Sequence, residues 1–203
     1  MNKTVNLEND VLIGKTKDEL ESFAVQLGEK PFRGRQLFDW IYRQKIYDIN
    51  RMTNLPKLFK ESLNTNSVIH PLKEINQIES ETQKTQKFIF QRIDGKQIES
   101  VIIKNNNRTT VCLSTQVGCS LDCGFCATGK MSFKGNLSVG EIIDQYLRLD
   151  KISSDPITNV VFMGMGEPFL NYSNTIFAAR MLNDSNGINL GASRITISTA
   201  GII

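Results

Sequence analysis

The hydrophobic pattern changes period along the chain, and the first third has helical spacing. A capping-box sequence at residues 16–19 precedes an apolar face that ends at Gly28. Pro31 begins a second helical run. A third run follows Pro56, and its predicted apolar stripe consists of Leu58, Phe59 and Leu63. We therefore predict a small helical accessory domain over residues 1–66.

The next segment has the two-residue period of β-strands. Four runs alternate in polarity or are rich in β-branched residues, at positions 70–77, 84–92, 97–104 and 109–114. The Asp94-Gly95 pair predicts a type I′ turn and therefore an antiparallel hairpin. We assign residues 67–108 to this hairpin region. His70, the only histidine, is interpreted as structural.

From about residue 109 onward, strand and helix patterns alternate. Ser138 caps a predicted helix, and the pattern continues with a buried strand, a helix and a further strand, at positions 157–163, 171–182 and 194–199. Such alternation predicts an α/β fold with parallel strands and helices outside them. In barrel-like folds of this type, the chemistry gathers at the carboxyl ends of the strands.

The composition is that of an ordinary globular protein, with 203 residues and 40% hydrophobic content. The first fifteen residues contain Lys3, Glu8 and Asp10, so a secretory h-region is not expected. No apolar stretch reaches the length of a membrane span. We therefore expect a cytoplasmic protein without membrane contact, and an organelle stroma or matrix stays open as the alternative.

The net charge of +3 is small, but its distribution is uneven. Two acids oppose eight basic residues between positions 30 and 60, namely Lys30, Arg33, Arg35, Arg43, Lys45, Arg51, Lys57 and Lys60. Aromatic residues lie among them, and this mixture suits phosphate contacts and base stacking in RNA. Phe38, Ile41 and Tyr42 also recur at helical spacing, which equally fits a core face. Both interpretations stay open.

Three of the four cysteines, Cys119, Cys123 and Cys126, lie within eight positions of one glycine-rich loop. Thiolates at this spacing suit a 4Fe-4S cluster that keeps one iron open for a small molecule. A four-cysteine structural zinc site that includes Cys112 is one alternative. A disulfide is another, although the cysteine content is low for a disulfide framework.

These residues carry a resemblance to a known family. The C-x3-C-x2-C spacing of the loop cysteines is similar to the signature of radical S-adenosylmethionine (radical SAM) enzymes. Gln116-Val117-Gly118-Cys119, the segment 162–168 (FMGMGEP) and the segment 194–201 (RITISTAG) extend the match. Together they resemble the dual-specificity adenine-C2 RNA methyltransferases of the RlmN type. The resemblance covers essentially the whole chain.

The resemblance implies the fold and the cofactors. Residues 109–203 would form about the first half of a radical SAM (β/α) barrel. The three loop cysteines would bind three irons of a 4Fe-4S cluster, and the fourth iron would bind S-adenosylmethionine. Gly166, Glu167 and Ser198 occupy the positions that contact S-adenosylmethionine in the family. Without the resemblance, a plain turn between a strand and a helix stays open as the alternative for residues 164–168.

The resemblance also assigns roles to Cys112 and Glu99. Cys112 stands where the family has a cysteine that resolves a covalent RNA–enzyme intermediate by forming a disulfide with a second, methyl-carrying cysteine. Glu99 matches the family's proposed general base. Without the family, Cys112 is a buried strand thiol and Glu99 a solvated strand carboxylate.

The implied activity is methylation of carbon 2 of adenine in 23S rRNA and in tRNA, by a monomer that receives electrons from a flavodoxin or ferredoxin. The methyl-carrying cysteine of the family lies downstream of position 203, so we expect this chain to be the N-terminal portion of a longer enzyme and incomplete for methyl transfer. Two alternatives stay open. One is a non-catalytic iron–sulfur or RNA-binding module, and the other is the related adenine-C8 rRNA methyltransferase.

Overall fold

The computed structural model describes residues 11–81 and 84–202. The helices of this part are α1 (Lys17–Gln26), α2 (Pro31–Phe38), α3 (Lys57–Asn66), α4 (Val139–Ile152) and α5 (Tyr172–Asn183). The strands are β1 (Lys73–Glu79), β2 (Thr85–Gln91), β3 (Gln97–Asn105), β4 (Arg108–Cys112), β5 (Gln116–Val117), β6 (Gly135–Asn136), β7 (Asn159–Phe162) and β8 (Ile195–Ile197). Residues 1–10, 82–83 and 203 lie outside the described residues, and so does the start of the predicted helical domain.

The helices begin where local capping signals predict. Thr16 accepts a hydrogen bond from the Glu19 amide, and the Glu19 carboxylate accepts one from the Thr16 amide, which completes the capping box of α1. Ser138 and Glu141 form the same reciprocal pair at the start of α4. Pro31 stands in the first turn of α2, which continues as a π-helical turn.

The predicted apolar stripe of α3 is wrong at one position. Phe59 and Leu63 are buried, whereas Leu58 is 76% exposed. Adjacent residues of a helix point about 100° apart, so a helix with one buried face cannot bury both Leu58 and Phe59 fully.

Six strands form one sheet in the order β1-β2-β3-β4-β7-β8. The pairs from β1 to β4 are antiparallel, while β4 pairs with β7 and β7 with β8 in parallel. The mixed α/β class and the parallel strands follow the prediction. The hairpin strands and the parallel strands therefore share a single sheet.

The hairpin between β2 and β3 is antiparallel as predicted, but its turn type is not the predicted one. A type I′ turn needs a positive φ at both central residues. Gly95 has φ +82°, whereas Asp94 does not have a positive φ. The Arg92 amide instead donates to the Lys96 carbonyl at 2.8 Å, so the loop consists of the three residues 93–95. Within it, the Gly95 amide donates to the Arg92 carbonyl at 3.0 Å.

The buried apolar side chains form one cluster that joins the N-terminal helices, α4 and one face of the sheet. Phe88, Ile102, Val111 and Val160 contribute from four neighbouring strands. The expected buried strand at 157–163 is buried only in part, because Met163 is 53% exposed just beyond the end of β7. In the described residues, no helix combines the length and apolar character needed to cross a membrane.

Candidate active site

The three segments singled out by the sequence follow neighbouring parallel strands. The cysteine loop follows β4 and the short strand β5, residues 164–168 follow β7, and residues 198–201 follow β8. Because β4, β7 and β8 are adjacent and parallel, their carboxyl ends lie at the same edge of the sheet. This edge is where barrel folds of this kind place their chemistry.

The cysteine loop is closed at its base by the β5–β6 ladder, which pairs Gln116 with Asn136. Gly118 follows β5 with φ +70°, and a Cβ on it would lie 2.1 Å from the Ser132 carbonyl oxygen. Only glycine satisfies both the left-handed backbone and this close approach. The backbones of the two arms of the loop therefore approach each other closely directly before Cys119.

The three loop cysteines are half-buried and, like Cys112, free of disulfides. The Cys126 amide donates to the Cys123 carbonyl at 2.9 Å, and Cys119 Sγ accepts a hydrogen bond from the Leu121 amide at 3.4 Å. Three uncommitted thiols on one tight loop fit the donor chemistry of an iron–sulfur cluster. Within residues 11–81 and 84–202, however, no three His, Cys, Asp or Glu side chains converge as a metal-binding group. The ligand set therefore stays a prediction.

The turn after β7 is held against the strand that leads into the cysteine loop. The Met165 carbonyl accepts hydrogen bonds from the amides of Thr115 and Gln116, at 2.9 and 3.1 Å. Gly166 has φ +97°, and a Cβ on it would lie 2.4 Å from Gln116 Cβ. The Gln116 side chain also accepts a hydrogen bond from the Glu167 amide at 2.9 Å. The turn and the base of the cysteine loop thus form one unit.

The Glu167 carboxylate joins the turn after β7 to the turn after β8. Its Oε1 accepts hydrogen bonds from the Phe169 amide (2.9 Å) and from the Thr199 hydroxyl (2.6 Å). Its Oε2 accepts one from the Ala200 amide (2.9 Å). The side chain is 5% exposed. Burial by itself raises the pKa of this carboxyl, but the three hydrogen bonds together outweigh it and lower the pKa below its ordinary value.

Ser198 is exposed and directly follows β8, next to Thr199. The hydrogen bonds from Thr199 and Ala200 to Glu167 therefore hold the segment that contains Ser198 close to the turn that contains Gly166. The structure places the three expected S-adenosylmethionine contacts, Gly166, Glu167 and Ser198, in adjoining turns. Their role toward that ligand stays a prediction.

Cys112 belongs to a row of residues that crosses the sheet. It pairs with Val101 of β3 on one side and with Val161 of β7 on the other. The row continues to Lys87 on β2 and to Thr196 on β8. Burial raises the pKa of the Cys112 thiol, and a hydrogen bond with the Met163 backbone opposes this only in part.

Glu99 lies two residues from Val101 on β3 and therefore on the same face of the sheet as Cys112. The structure thus brings both candidate catalytic residues to one face. The Glu99 carboxylate forms an ion pair with Lys87, with 3.0 Å between Oε2 and Nζ. Both side chains are nearly half exposed, so this carboxylate is accessible.

Many charges of the basic segment between residues 30 and 60 are already paired. Arg33 donates to the Asn54 carbonyl at 2.8 Å, and Arg35 pairs with Glu21 at 3.2 Å. Phe38, Ile41 and Tyr42 are buried core residues, as the helical spacing predicted. Lys30 and Arg51 are exposed, and neither forms an ion pair with another described residue. They are therefore the better candidates for RNA contact.

His70 has the structural role that was expected. Its Nδ1 contacts the buried Asp144 carboxylate of α4, and its ring packs edge-on against Tyr47. Asp144 also accepts a hydrogen bond from the Leu72 amide at 3.0 Å. The histidine thus connects the helical segment to α4 and does not reach the site.

Sequence reasoning missed several residues that hold the site together. The Asn171 side-chain amide donates to the carbonyls of Thr115 and Leu137, both at 2.8 Å, and so binds both arms of the cysteine loop. Gln116 bridges Asn136 and Glu167. The only available signal was the presence of Gln116 and Thr199 inside the quoted motifs, because these contacts join segments far apart in the chain.

Comparison with known proteins agrees with this geometry. A family model described as "Ribosomal RNA large subunit methyltransferase N-terminal domain" (RlmN_N) matches residues 11–69. A second, "Radical SAM superfamily", matches residues 113–203. The chain therefore contains an RlmN-type N-terminal domain and a radical SAM domain, and the second of these includes the cysteine loop.

Relatives and a solved structure support the assignment. The chain is 45% identical over 196 residues to a probable dual-specificity RNA methyltransferase RlmN of Leptospira interrogans, which covers 95% of this chain and 55% of the relative. An RlmN relative of Thermotoga neapolitana is 44% identical, with 94% and 56% covered. The crystal structure of a radical SAM methyltransferase from Sphaerobacter thermophilus matches with a TM-score of 0.89 and 41% identity, over 95% of this chain and 57% of that one. The chain thus spans about half the length of these RlmN relatives.

Proposed function

We propose that this chain is the N-terminal portion of a radical SAM enzyme that methylates carbon 2 of adenine in 23S rRNA and tRNA. The observation that carries the proposal is the meeting of three segments at one sheet edge: the cysteine loop, the turn around Gly166 and Glu167, and the turn around Ser198. The names of the RlmN relatives give the dual specificity for RNA.

The cofactor residues would act together at this edge. Cys119, Cys123 and Cys126 would hold a 4Fe-4S cluster, which with S-adenosylmethionine supplies the one-electron chemistry of methyl transfer. Gly166 lets the backbone approach the ligand closely, since it has no side chain. Glu167 would accept a charge-assisted hydrogen bond from the ligand's ammonium group, in addition to the three it already accepts.

The face that carries Glu99 and Cys112 would receive the adenine. Glu99 would take up the proton that leaves the reacting carbon, and its exposed carboxylate is available for this. Cys112 would resolve the covalent RNA–enzyme intermediate by forming a disulfide with a cysteine of the downstream half. RNA would also contact the helical segment, and electrons would come from a flavodoxin or ferredoxin.

The test is anaerobic reconstitution of this chain with iron and sulfide, followed by electron paramagnetic resonance of the reduced protein with and without S-adenosylmethionine. We expect a cluster signal that shifts when S-adenosylmethionine is added. A Cys123→Ala variant serves as the matched control and should lose the signal. Binding of zinc without a cluster, or a cluster signal that ignores S-adenosylmethionine, contradicts the proposal for this chain.

A further inference from the structure

The Ser114 hydroxyl lies where three segments of the site cross. It is fully buried, donates to the Glu99 carbonyl at 2.5 Å and accepts a hydrogen bond from the Met165 amide at 2.8 Å. Gly164 lies so close that a Cβ on it would be 2.7 Å from Ser114 Oγ. A single hydroxyl thus connects the strand of the candidate base with the turn that precedes Gly166.

The Ser114 backbone is held equally firmly by Gln145 of α4. The Gln145 side chain accepts a hydrogen bond from the Ser114 amide at 2.8 Å and donates one to the Ser114 carbonyl at 3.0 Å. Gln145 Oε1 also accepts a hydrogen bond from the Ser100 hydroxyl at 2.7 Å. Ser114 lies beyond the end of β4, where ladder partners are missing. The buried Gln145 amide supplies these partners, as buried backbone groups require.

We propose that Ser114 is a positioning residue that holds the S-adenosylmethionine turn in register with the strand of Glu99. The inference rests on the proposed function, because it assigns Ser114 a task within that same site. Glu99 and Met165 belong to segments more than sixty residues apart in the chain, and the hydroxyl is hydrogen-bonded to the backbone of both. Without it, the turn keeps its own bonds to Thr115 and Gln116 but loses the direct hydrogen-bonded link through Ser114 to the Glu99 carbonyl of β3.

The neighbouring residue provides a matched control. Thr115 is also a fully buried hydroxyl, but its Oγ1 has no hydrogen-bond partner among the residues that the structure describes. Ser114→Ala removes a hydroxyl with two partners, whereas Thr115→Val removes one without a described partner. Ile142→Val, in the core of α4, serves as a second control that weakens packing without touching the site.

The first measurement is hydrogen exchange of the Met165 amide in this chain without cofactors. Because this amide loses its acceptor, we expect exchange about tenfold faster in Ser114→Ala and unchanged in Thr115→Val. Unchanged exchange in Ser114→Ala overturns the inference, whatever the chain does with S-adenosylmethionine.

The second measurement is the affinity of the reconstituted chain for S-adenosylmethionine, followed by the shift of the cluster signal. We expect about tenfold weaker binding in Ser114→Ala, and binding within about twofold of the unsubstituted chain in Thr115→Val and Ile142→Val. An equal loss of affinity in Ser114→Ala and Ile142→Val would mean that Ser114 only stabilises the fold, and this result would overturn the inference.

Two further outcomes are distinguishable. If the unsubstituted chain forms no cluster that responds to S-adenosylmethionine, the proposed function fails, and the positioning role fails with it. If the unsubstituted chain responds and Ser114→Ala binds equally well, only the positioning role fails. Should the alanine variant not fold, Ser114→Cys keeps a side chain with a weak donor and acceptor and should weaken binding in the same direction.

Discussion

The Thr199 hydroxyl donates a 2.6 Å hydrogen bond to the Glu167 carboxylate, and this contact joins the ends of two neighbouring parallel strands. The Ala200 amide contacts the other carboxylate oxygen. A carboxylate with donors on both oxygens is held in one orientation, and its charge is stabilised by hydrogen bonds instead of water. Glu167 therefore fixes the position of the chain segment that contains Ser198.

The first prediction concerns Glu167→Gln. The amide keeps one acceptor oxygen but places an NH2 group against a donor, so the free energy of unfolding at pH 7 should fall by about 1–3 kcal/mol. The measurement is denaturant unfolding of both proteins between pH 3 and pH 7.

The pH dependence of this difference has a defined sign. The pKa of Glu167 is lower in the folded chain than its ordinary value of 4.5, so its contribution is fully present above that value. It is lost as the pH falls through the lower folded pKa. The difference in the free energy of unfolding between the unsubstituted chain and Glu167→Gln should therefore become smaller toward pH 3. A difference that is constant with pH contradicts the prediction.

The second prediction compares two glycines with similar backbone angles. Gly166 and Gly95 have φ of +97° and +82°, but a Cβ meets Gln116 at 2.4 Å only at Gly166. Gly95→Ala should lower the free energy of unfolding by about 1 kcal/mol, because of its backbone conformation alone. Gly166→Ala should lower it clearly more and should abolish the shift of the cluster signal with S-adenosylmethionine. Thermal unfolding and the cluster signal are the measurements. Equal losses of unfolding free energy at the two positions would contradict the close contact between a Cβ at position 166 and Gln116.

The third prediction concerns the reactivity of Cys112. Because burial raises the pKa of its thiol, little thiolate is present near pH 7.5. Iodoacetamide should modify Cys112 more slowly than free cysteine, and the rate should still rise at a pH where free cysteine has levelled off. Mass spectrometry of the peptide that contains Cys112 measures this rate. Modification as fast as that of free cysteine would contradict the prediction.

The fourth prediction concerns the proposed contact of the helical segment with RNA. Reversal of Lys30 and Arg51 to Glu should weaken binding of a single-stranded RNA and reduce the salt slope by about 0.7 for each phosphate that the variant no longer neutralises. Binding titrations at several salt concentrations test this. Lys17→Glu, an exposed change of the same sign in α1, is the control. Equal weakening by the control would point to general charge and not to this segment.

Arg33→Glu is unsuitable for that experiment, although the sequence singles out Arg33 as one of the basic residues. Its guanidinium binds the Asn54 carbonyl and the Gln36 side chain, both at 2.8 Å. Charge reversal would break these hydrogen bonds and disturb the helical segment itself, so weaker RNA binding would have two causes.

Local signals in the sequence were sufficient for much of the fold. The capping boxes at Thr16 and Ser138 predicted the starts of two helices because all partners lie within four residues. The exposure of Leu58 and Met163 was not predictable in this way, since burial depends on which face meets the rest of the molecule.

The candidate site was predictable only in its motif residues. The cysteine loop, Gly166, Glu167 and Ser198 stand in recognisable motifs, and parallel strands bring their segments to one edge. The residues that hold them, such as Ser114 and Asn171, bind partners between 15 and 56 positions away. Such contacts leave no periodic pattern in the sequence. The spacing of the cysteines also does not specify how their side chains are arranged.

The short turn between β3 and β4 determines on which face of the sheet the Cys112 thiol lies, because it sets the register of the row that contains Cys112. Asn105 pairs with Arg108 across a two-residue turn, and Asn106 takes a positive φ of 48° there. Insertion of one residue in this turn would shift the pairing by one position, and every side chain of β4 would change faces. The thiol would then lie on the face that packs against α4, while Val111 would take its place on the face that carries Glu99. A turn remote from the loop cysteines thus decides whether this face of the sheet presents a sulfur atom or a methyl group.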